Sequence, residues 1–187
     1  DGTYDPTLGE ARSVNDITVS SGAVLTINAT GVLTAGNDVT IDLGGSILLS
    51  GNLNLGGDWA NAGTFTHTSG TVTFNGTSAQ AIYTGGTGTG QDFYNLTISN
   101  TSANVTVTTD NLKIIGNLTI STDGMFAVSD GLQVWVDSGT VTFNAAPSLA
   151  GASCIINHNG TTYQYWGSST GVAKSVLLSD FDSTDNV

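Results

Sequence analysis

Apolar residues come along this chain in short runs of four to seven positions that alternate with Thr, Ser or Asn and stop at glycine pairs or Asn/Asp/Ser-Gly steps. Val24, Leu25 and Ile27, then Val32 and Leu33, then Val39, Ile41 and Leu43, then Ile47, Leu48 and Leu49, then Leu53 and Leu55 recur every six to nine residues. A period of two marks each run as a strand with one face turned to a core. Antiparallel hairpins can generate such a series, because Ser-Gly and Asn-Gly also build hairpin turns. Two features favour parallel coiling. Strands this short, joined by two-residue corners, suit the triangular rung of a β-helix, in which three strands complete a turn in roughly 20 to 25 residues. The step from Leu96 to Leu118, 22 residues, has that length. Dividing 187 residues by this step predicts about eight rungs and a rod roughly 40 Å long.

The segment Gly70-Thr71-Val72-Thr73-Phe74-Asn75 returns letter for letter at Gly139 to Asn144. Looser echoes surround it, among them Asn95-Leu96-Thr97-Ile98-Ser99 against Asn117-Leu118-Thr119-Ile120-Ser121. Self-similarity at a fixed period is the mark of a repeat architecture. These words resemble the repetitive surface proteins of bacteria and archaea, whose units run Gly-Thr-Val-Thr-Phe-Asn-Gly, Ala-Gln-X-Ile and Phe-Tyr-Asn-Leu-Thr-Ile. Here they fall at residues 70–76, 79–82 and 93–98, and the resemblance covers residues 17 to about 145. It implies an all-β, right-handed parallel β-helix in adhesin-like, sheath- or filament-forming proteins, and it carries no catalytic residues.

Both ends depart from the repeat. Residues 1–16, with Pro6, Glu10 and Arg12, lack alternation and read as an N-terminal arm or cap; 17–149 form the repeat body; 150–187, with Tyr163, Tyr165 and Trp166 and an acidic finish, read as an irregular C-terminal β cap or interface. Solenoids expose unpaired strand edges at their tips, which soluble examples cover with a helix or a polar cap. No amphipathic helix is legible, and Lys, which blunts exposed edges, is almost absent. The expectation is therefore self-assembly into a homopolymer, with Tyr4, Arg12, Cys154, Tyr163, Tyr165 and Trp166 as interface candidates. Cys154, the one cysteine, excludes an intrachain disulfide and reads either as an inward apolar residue or as a thiol for an interchain bridge.

Composition narrows the partners. The net charge is −12, and Arg12, Lys113 and Lys174 are the whole cationic complement, so no positive patch exists for nucleic acid or anionic lipid. No apolar run reaches the ~20 residues of a membrane-spanning helix. The chain opens at Asp1, as a processed secreted protein does, and carries seven Asn-X-Ser/Thr sequons, at Asn28, Asn75, Asn95, Asn100, Asn104, Asn117 and Asn159. An extracellular, cell-surface address is expected, with these asparagines as glycan acceptors.

Catalysis is not expected. Lyases of acidic polysaccharides need a cation near the reacting carbon, and hydrolases need paired carboxylates roughly 5 to 10 Å apart. Asp38 with Asp42, and Asp130 with Asp137, read instead as turn residues. His67 and His158 are isolated in sequence and read as solvent-facing or capping side chains. Gly85 to Gly90 has the look of a phosphate loop without its lysine or helix, and reads as a flexible loop projecting from the rod. Asp180, Asp182 and Asp185 alternate oxygen ligands as a calcium loop does, but lack its turn glycine and bidentate Glu, so calcium is the one metal considered and no cofactor is expected. Trp59, Trp135 and Trp166 are stacking candidates for sugars, which makes an adhesin or carbohydrate-binding module that recognises cell-surface glycans the alternative function.

Overall fold

The computed structural model describes residues 5–121, 125–129 and 132–143, and the backbone of three later strands at 148–150, 154–158 and 161–165. The described chain is all β-strand and turn, wound rung upon rung. Rung one is β1 (Thr7–Leu8), β2 (Ala11–Val14) and β3 (Ile17–Val19). Rung two is β4 (Val24–Ile27), β5 (Val32–Ala35) and β6 (Val39–Ile41); rung three is β7 (Ser46–Leu49), β8 (Asn52–Leu55) and β9 (Trp59–Asn61). Next come β10 (Thr64–His67), β11 (Thr71–Phe74) and β12 (Gln80–Tyr83), then β13 (Asn95–Ile98) and β14 (Val105–Val107). The last rungs are β15 (Leu112–Ile114), β16 (Leu118–Ile120) and β17 (Met125–Val128), and β18 (Gln133–Val136), β19 (Val141–Phe143) and β20 (Ser148–Ala150), followed by β21 (Cys154–His158) and β22 (Thr161–Tyr165).

Corresponding strands stack into parallel sheets. Sheet 1 orders β1-β4-β7-β10, sheet 2 runs β2-β5-β8-β11-β13-β16-β19, sheet 3 runs β3-β6-β9-β12-β14-β17-β20, and sheet 4 orders β15-β18-β21-β22. The fold is thus a parallel β-solenoid. Leu96 sits opposite Leu118 in the register of β13 and β16, so the 22-residue step is one turn. The repeated hexapeptide places β11 and β19 in the same sheet three strands apart, and 139 − 70 = 69 residues is three turns of 23. Sheet 2 has seven strands, one per rung, so the described coil makes about six turns and has seven rungs where about eight were expected. The rung length was read correctly; among the described residues β21 still stacks in parallel on β18, and only β22, antiparallel to β21, departs from the rung pattern.

Packing follows from the alternation. Along sheet 2, Leu33, Leu53, Val72, Leu96 and Leu118 meet in register and are all buried. Each such side chain contributes about 2 kcal/mol by burial. Where the sheets converge, Trp59, Phe65 and Phe93 pack with ring centroids 4.9 to 5.5 Å apart. Leu43, expected to continue the apolar series of β6, stands at the corner and is 79% exposed. The corners are shaped by glycine. Gly70, at φ +95°, follows Gly51 and Gly31 in a column where a Cβ on one glycine would run into the carbonyl oxygen of the glycine one rung below. Only glycine combines that φ with so close a rung-to-rung approach.

Within the segment expected to be an arm or cap, Thr7–Leu8 and Ala11–Val14 form the first two strands of rung one. Thr7 and Leu8 pair with Thr26 and Ile27, and Ala11 to Val14 pair with Val32 to Ala35. Its alternation was hidden because Arg12 occupies the inward position that Leu33 holds one rung later.

Candidate interaction surfaces

The first candidate is the tip formed by rung one. There the core opens into a mouth of about 470 Å³, lined by Leu8, Val14, Ile17, Val24, Leu25 and Leu33 among others, with Arg12 across it. Val14 is 43% exposed although its register partner Ala35 is buried. Arg12 makes an ion pair with Glu10 and donates to the Ala11 carbonyl. Both members of that pair are more than half exposed, so it adds little stability. Arg12 lies on β2, the terminal strand of sheet 2. Cys154, Tyr163 and Tyr165 lie on β21 and β22, where Cys154 stands opposite Tyr165 and Ile156 opposite Tyr163. Tyr4, Trp166 and the calcium candidates Asp180, Asp182 and Asp185 lie outside the described residues.

The second is the handover between sheets 1 and 4. After β10 the next rung supplies no full strand on this face. Instead the Gly90 carbonyl accepts from Phe65 N, and Phe93 bridges to Ile114. The glycine-rich segment that was expected to project is strapped down at both feet: Asn61 Nδ2 also donates to Gly90 O, Thr84 Oγ1 donates to Asn111 O, and Gly86 N donates to Thr84 Oγ1. Gly85, Gly88 and Thr89 are exposed, while Gly90 is buried. Beneath lies His67, contrary to its reading as a solvent-facing residue. Its Nε2 is 3.3 Å from Asp92 Oδ1, both side chains are about nine-tenths buried, and its ring lies against Phe65 and Tyr94. The partner is 25 residues away, which is why sequence proximity showed nothing.

The corners hold polar networks that sequence reading missed. Buried Gln80 accepts from Gly76 N and from Asn100 Nδ2, and donates to the carbonyls of Leu55 and Gly57. Asn100 is fully buried; its Nδ2 also donates to Ser78 O, and its Oδ1 accepts from Ser102 N and Ala103 N. Its amide therefore serves the fold rather than the surface. The other described sequons differ in exposure: Asn28, Asn75 and Asn117 are exposed, whereas Asn95 and Asn104 are half-buried; Asn159 lies outside the described residues. Asn95 and Asn117 also clamp rungs, since Asn95 Oδ1 accepts from Asn117 N, and Asn117 Oδ1 accepts from Thr140 N.

Asp38, one of the carboxylates considered for catalysis, serves a similar end. Asp16, Asp38 and Asp58 stack on successive rungs, and each accepts the backbone N–H of the residue one rung on: Asp38 N, Asp58 N and Ala81 N. Asp42 sits half-buried at a corner, and Asp137 pairs with Lys113 Nζ at 3.0 Å. Asp130 lies outside the described residues, as does the His158 side chain. Among the described residues no group of three His, Cys, Asp or Glu side chains is arranged to hold a metal ion. Of the tryptophans, Trp59 is wholly buried, while Trp135 is half-buried on the outer face of β18 with its Nε1 donating to Gln133 Oε1. Compared with known proteins, the chain matches no family model, no curated protein and no solved structure.

Proposed function

We propose that this chain is a structural subunit of an extracellular self-assembling filament, sheath or surface layer, in which copies join through their rung faces. The observation that carries the reading is the N-terminal tip, where sheets 2 and 3 run out to β2 and β3 with the core open beneath them. Among the described residues, β2 and β3 at one tip and β19 and β20 at the other each pair on one side only. A strand with one free edge is a template for another chain. Docking β19 of one copy beside β2 of the next is a head-to-tail contact, which generates an open polymer rather than a closed dimer. It also buries the apolar mouth. The role is structural rather than catalytic: Asp38 is engaged in holding rungs and Asp137 in pairing Lys113.

Negative-stain microscopy and sedimentation of the purified chain test this. Filaments or sheets that lengthen with concentration and salt are expected, because salt screens the repulsion between acidic copies; Arg12→Asp is expected to reduce them. Free rods that stay monomeric across concentration and ionic strength would refute the reading. An adhesin is the second reading, favoured by Trp135 on the outer face beside Lys113, its register partner. Sugar-dependent quenching of that tryptophan in a monomeric chain would select it.

A further inference from the structure

Asn75 follows β11 at the corner between sheets 2 and 3 and is exposed, while the next residue, Gly76, is buried. An asparagine followed by glycine is open to attack on its own side chain by the next backbone nitrogen, because glycine has no Cβ to hinder the approach. The chain holds this pair twice, at Asn75-Gly76 and Asn159-Gly160, whereas the second copy of the hexapeptide runs from Asn144 into Ala145. The fold demands glycine at 76. A Cβ there would run into the Gly56 carbonyl oxygen one rung below and into the Gln80 carboxamide. Close stacking of rungs therefore imposes the reactive pair at this corner.

The same corner restrains it. Gly76 N donates to Gln80 Oε1 at 3.0 Å. Gln80 is 2% exposed and fixed in turn, since its Nε2 donates to the carbonyls of Leu55 and Gly57 and its Oε1 also accepts from Asn100 Nδ2. The Asn75 carboxamide, by contrast, makes no hydrogen bond among the described residues. A backbone nitrogen attacks only after losing its proton, and a hydrogen bond donated to a neutral acceptor favours the protonated form. It must also turn away from its acceptor, which leaves buried polar groups unpaired. We propose that Asn75 is a self-modification site gated by Gln80. Once the gate opens, the deprotonated Gly76 nitrogen adds to Asn75 Cγ, the side-chain nitrogen takes up the proton and leaves as ammonia, and a cyclic imide closes. Water then opens the imide at either carbonyl, giving aspartate or a β-linked isoaspartate, with no other reactant. Both products add a carboxylate to a chain of net charge −12, and the β-linked one lengthens the backbone by one carbon between β11 and β12. Conversion thus wears out one rung, at a pace set by how often its corner opens.

The proposal is independent of self-assembly and is tested on the full chain, produced in a host that does not glycosylate Asn75 and held at mildly alkaline pH. Peptide mapping by mass spectrometry follows conversion at Asn75, and labelling by an isoaspartyl methyltransferase identifies the β-linked product. In guanidinium-unfolded chain the conversion is expected to proceed freely; in the folded chain it is expected to be at least about tenfold slower, the factor that one buried hydrogen bond supplies. Gln80→Leu, shown by circular dichroism to be folded, is expected to recover most of that factor, while Leu118→Ala, a core truncation two rungs away, keeps the wild-type rate. Should Gln80→Leu fail to fold, hydrogen exchange of the wild type in sub-denaturing urea takes its place, with conversion at Asn75 expected to rise in step with opening of the Gly76 amide. Equal rates in folded and unfolded wild type overturn the proposal, as does absence of conversion in the unfolded chain. So does a folded Gln80→Leu at the wild-type rate, equal acceleration by Leu118→Ala, or conversion that ignores Gly76 opening.

Discussion

Replacing Gln80 with leucine keeps the volume of a buried side chain and removes its hydrogen bonds, which separates the polar from the packing contribution at the corner between sheets 2 and 3. Four partners are affected: Gly76 N, Leu55 O, Gly57 O and Asn100 Nδ2. Two keep another partner, since Leu55 O also accepts from Asn75 N and Asn100 Nδ2 also donates to Ser78 O. Gly76 N and Gly57 O lose the side chain that satisfies them. A buried polar group left without a partner costs about 1 to 3 kcal/mol, so two of them predict a loss of about 2 to 6 kcal/mol, lowered somewhat by the apolar surface that leucine buries. Equilibrium urea unfolding followed by circular dichroism measures it, with the exposed neighbour Thr77→Ala as a control expected within ~0.5 kcal/mol of wild type. Hydrogen exchange adds a local readout: the Gly76 amide should lose its protection before the centre of β11 does. A loss below about 1 kcal/mol, with Gly76 still protected, would refute the assignment of this network as a structural clamp.

Three further outcomes follow from the geometry. Asp58→Ala leaves Ala81 N without its 2.7 Å acceptor and is expected to cost about 1 kcal/mol in urea unfolding, whereas Asp58→Asn keeps the acceptor, removes one of the three stacked carboxylates, and is expected to be neutral or stabilising at low salt. Gly70→Ala combines a φ of +95° with a Cβ driven against the Gly51 carbonyl, and is expected to lower stability by about 2 kcal/mol or more; a thermal midpoint equal to wild type would contradict the column of glycines. In Trp59→Phe, the emission component shielded from acrylamide should disappear, because Trp59 is fully buried, and the stability loss should stay below the ~3 to 5 kcal/mol of a Trp-to-Ala truncation, helped by removal of a buried indole N–H that has no partner.

The coil was legible in the sequence because its cause is local and periodic. Alternation within each run, and the 22 residues from Leu96 to Leu118, each report one strand and one turn, and the register of β13 with β16 follows directly. What stayed hidden depends on contacts across rungs. His67 and Asp92 meet only because the segment between them stands in for a missing strand, and Gln80 reaches Leu55 and Gly57 a rung below. Asn100 announced itself as a sequon, yet the surroundings that bury it come from residues 78 to 80. Rung one was obscured by the opposite problem: at the tip there is no further layer to demand an apolar residue, so Arg12 takes an inward position and the alternation lapses. Leu43 shows the limit from the other side, since an apolar letter in phase with its strand is outward once the strand has ended at Ile41.

Because every inter-strand hydrogen bond of the column points along its long axis, and the first and last described strands lie at opposite tips, tension applied through the two termini loads the layers in series. Each layer is held by bonds on up to three sides acting together, and its strands pair, among the described residues, with those of its immediate neighbours. Stretched, such a molecule yields as a spool does, one loop at a time, with a sawtooth of force whose period in contour length is about 22 residues and whose weakest tooth falls at the handover, where a single bridge from Phe93 to Ile114 replaces a full strand.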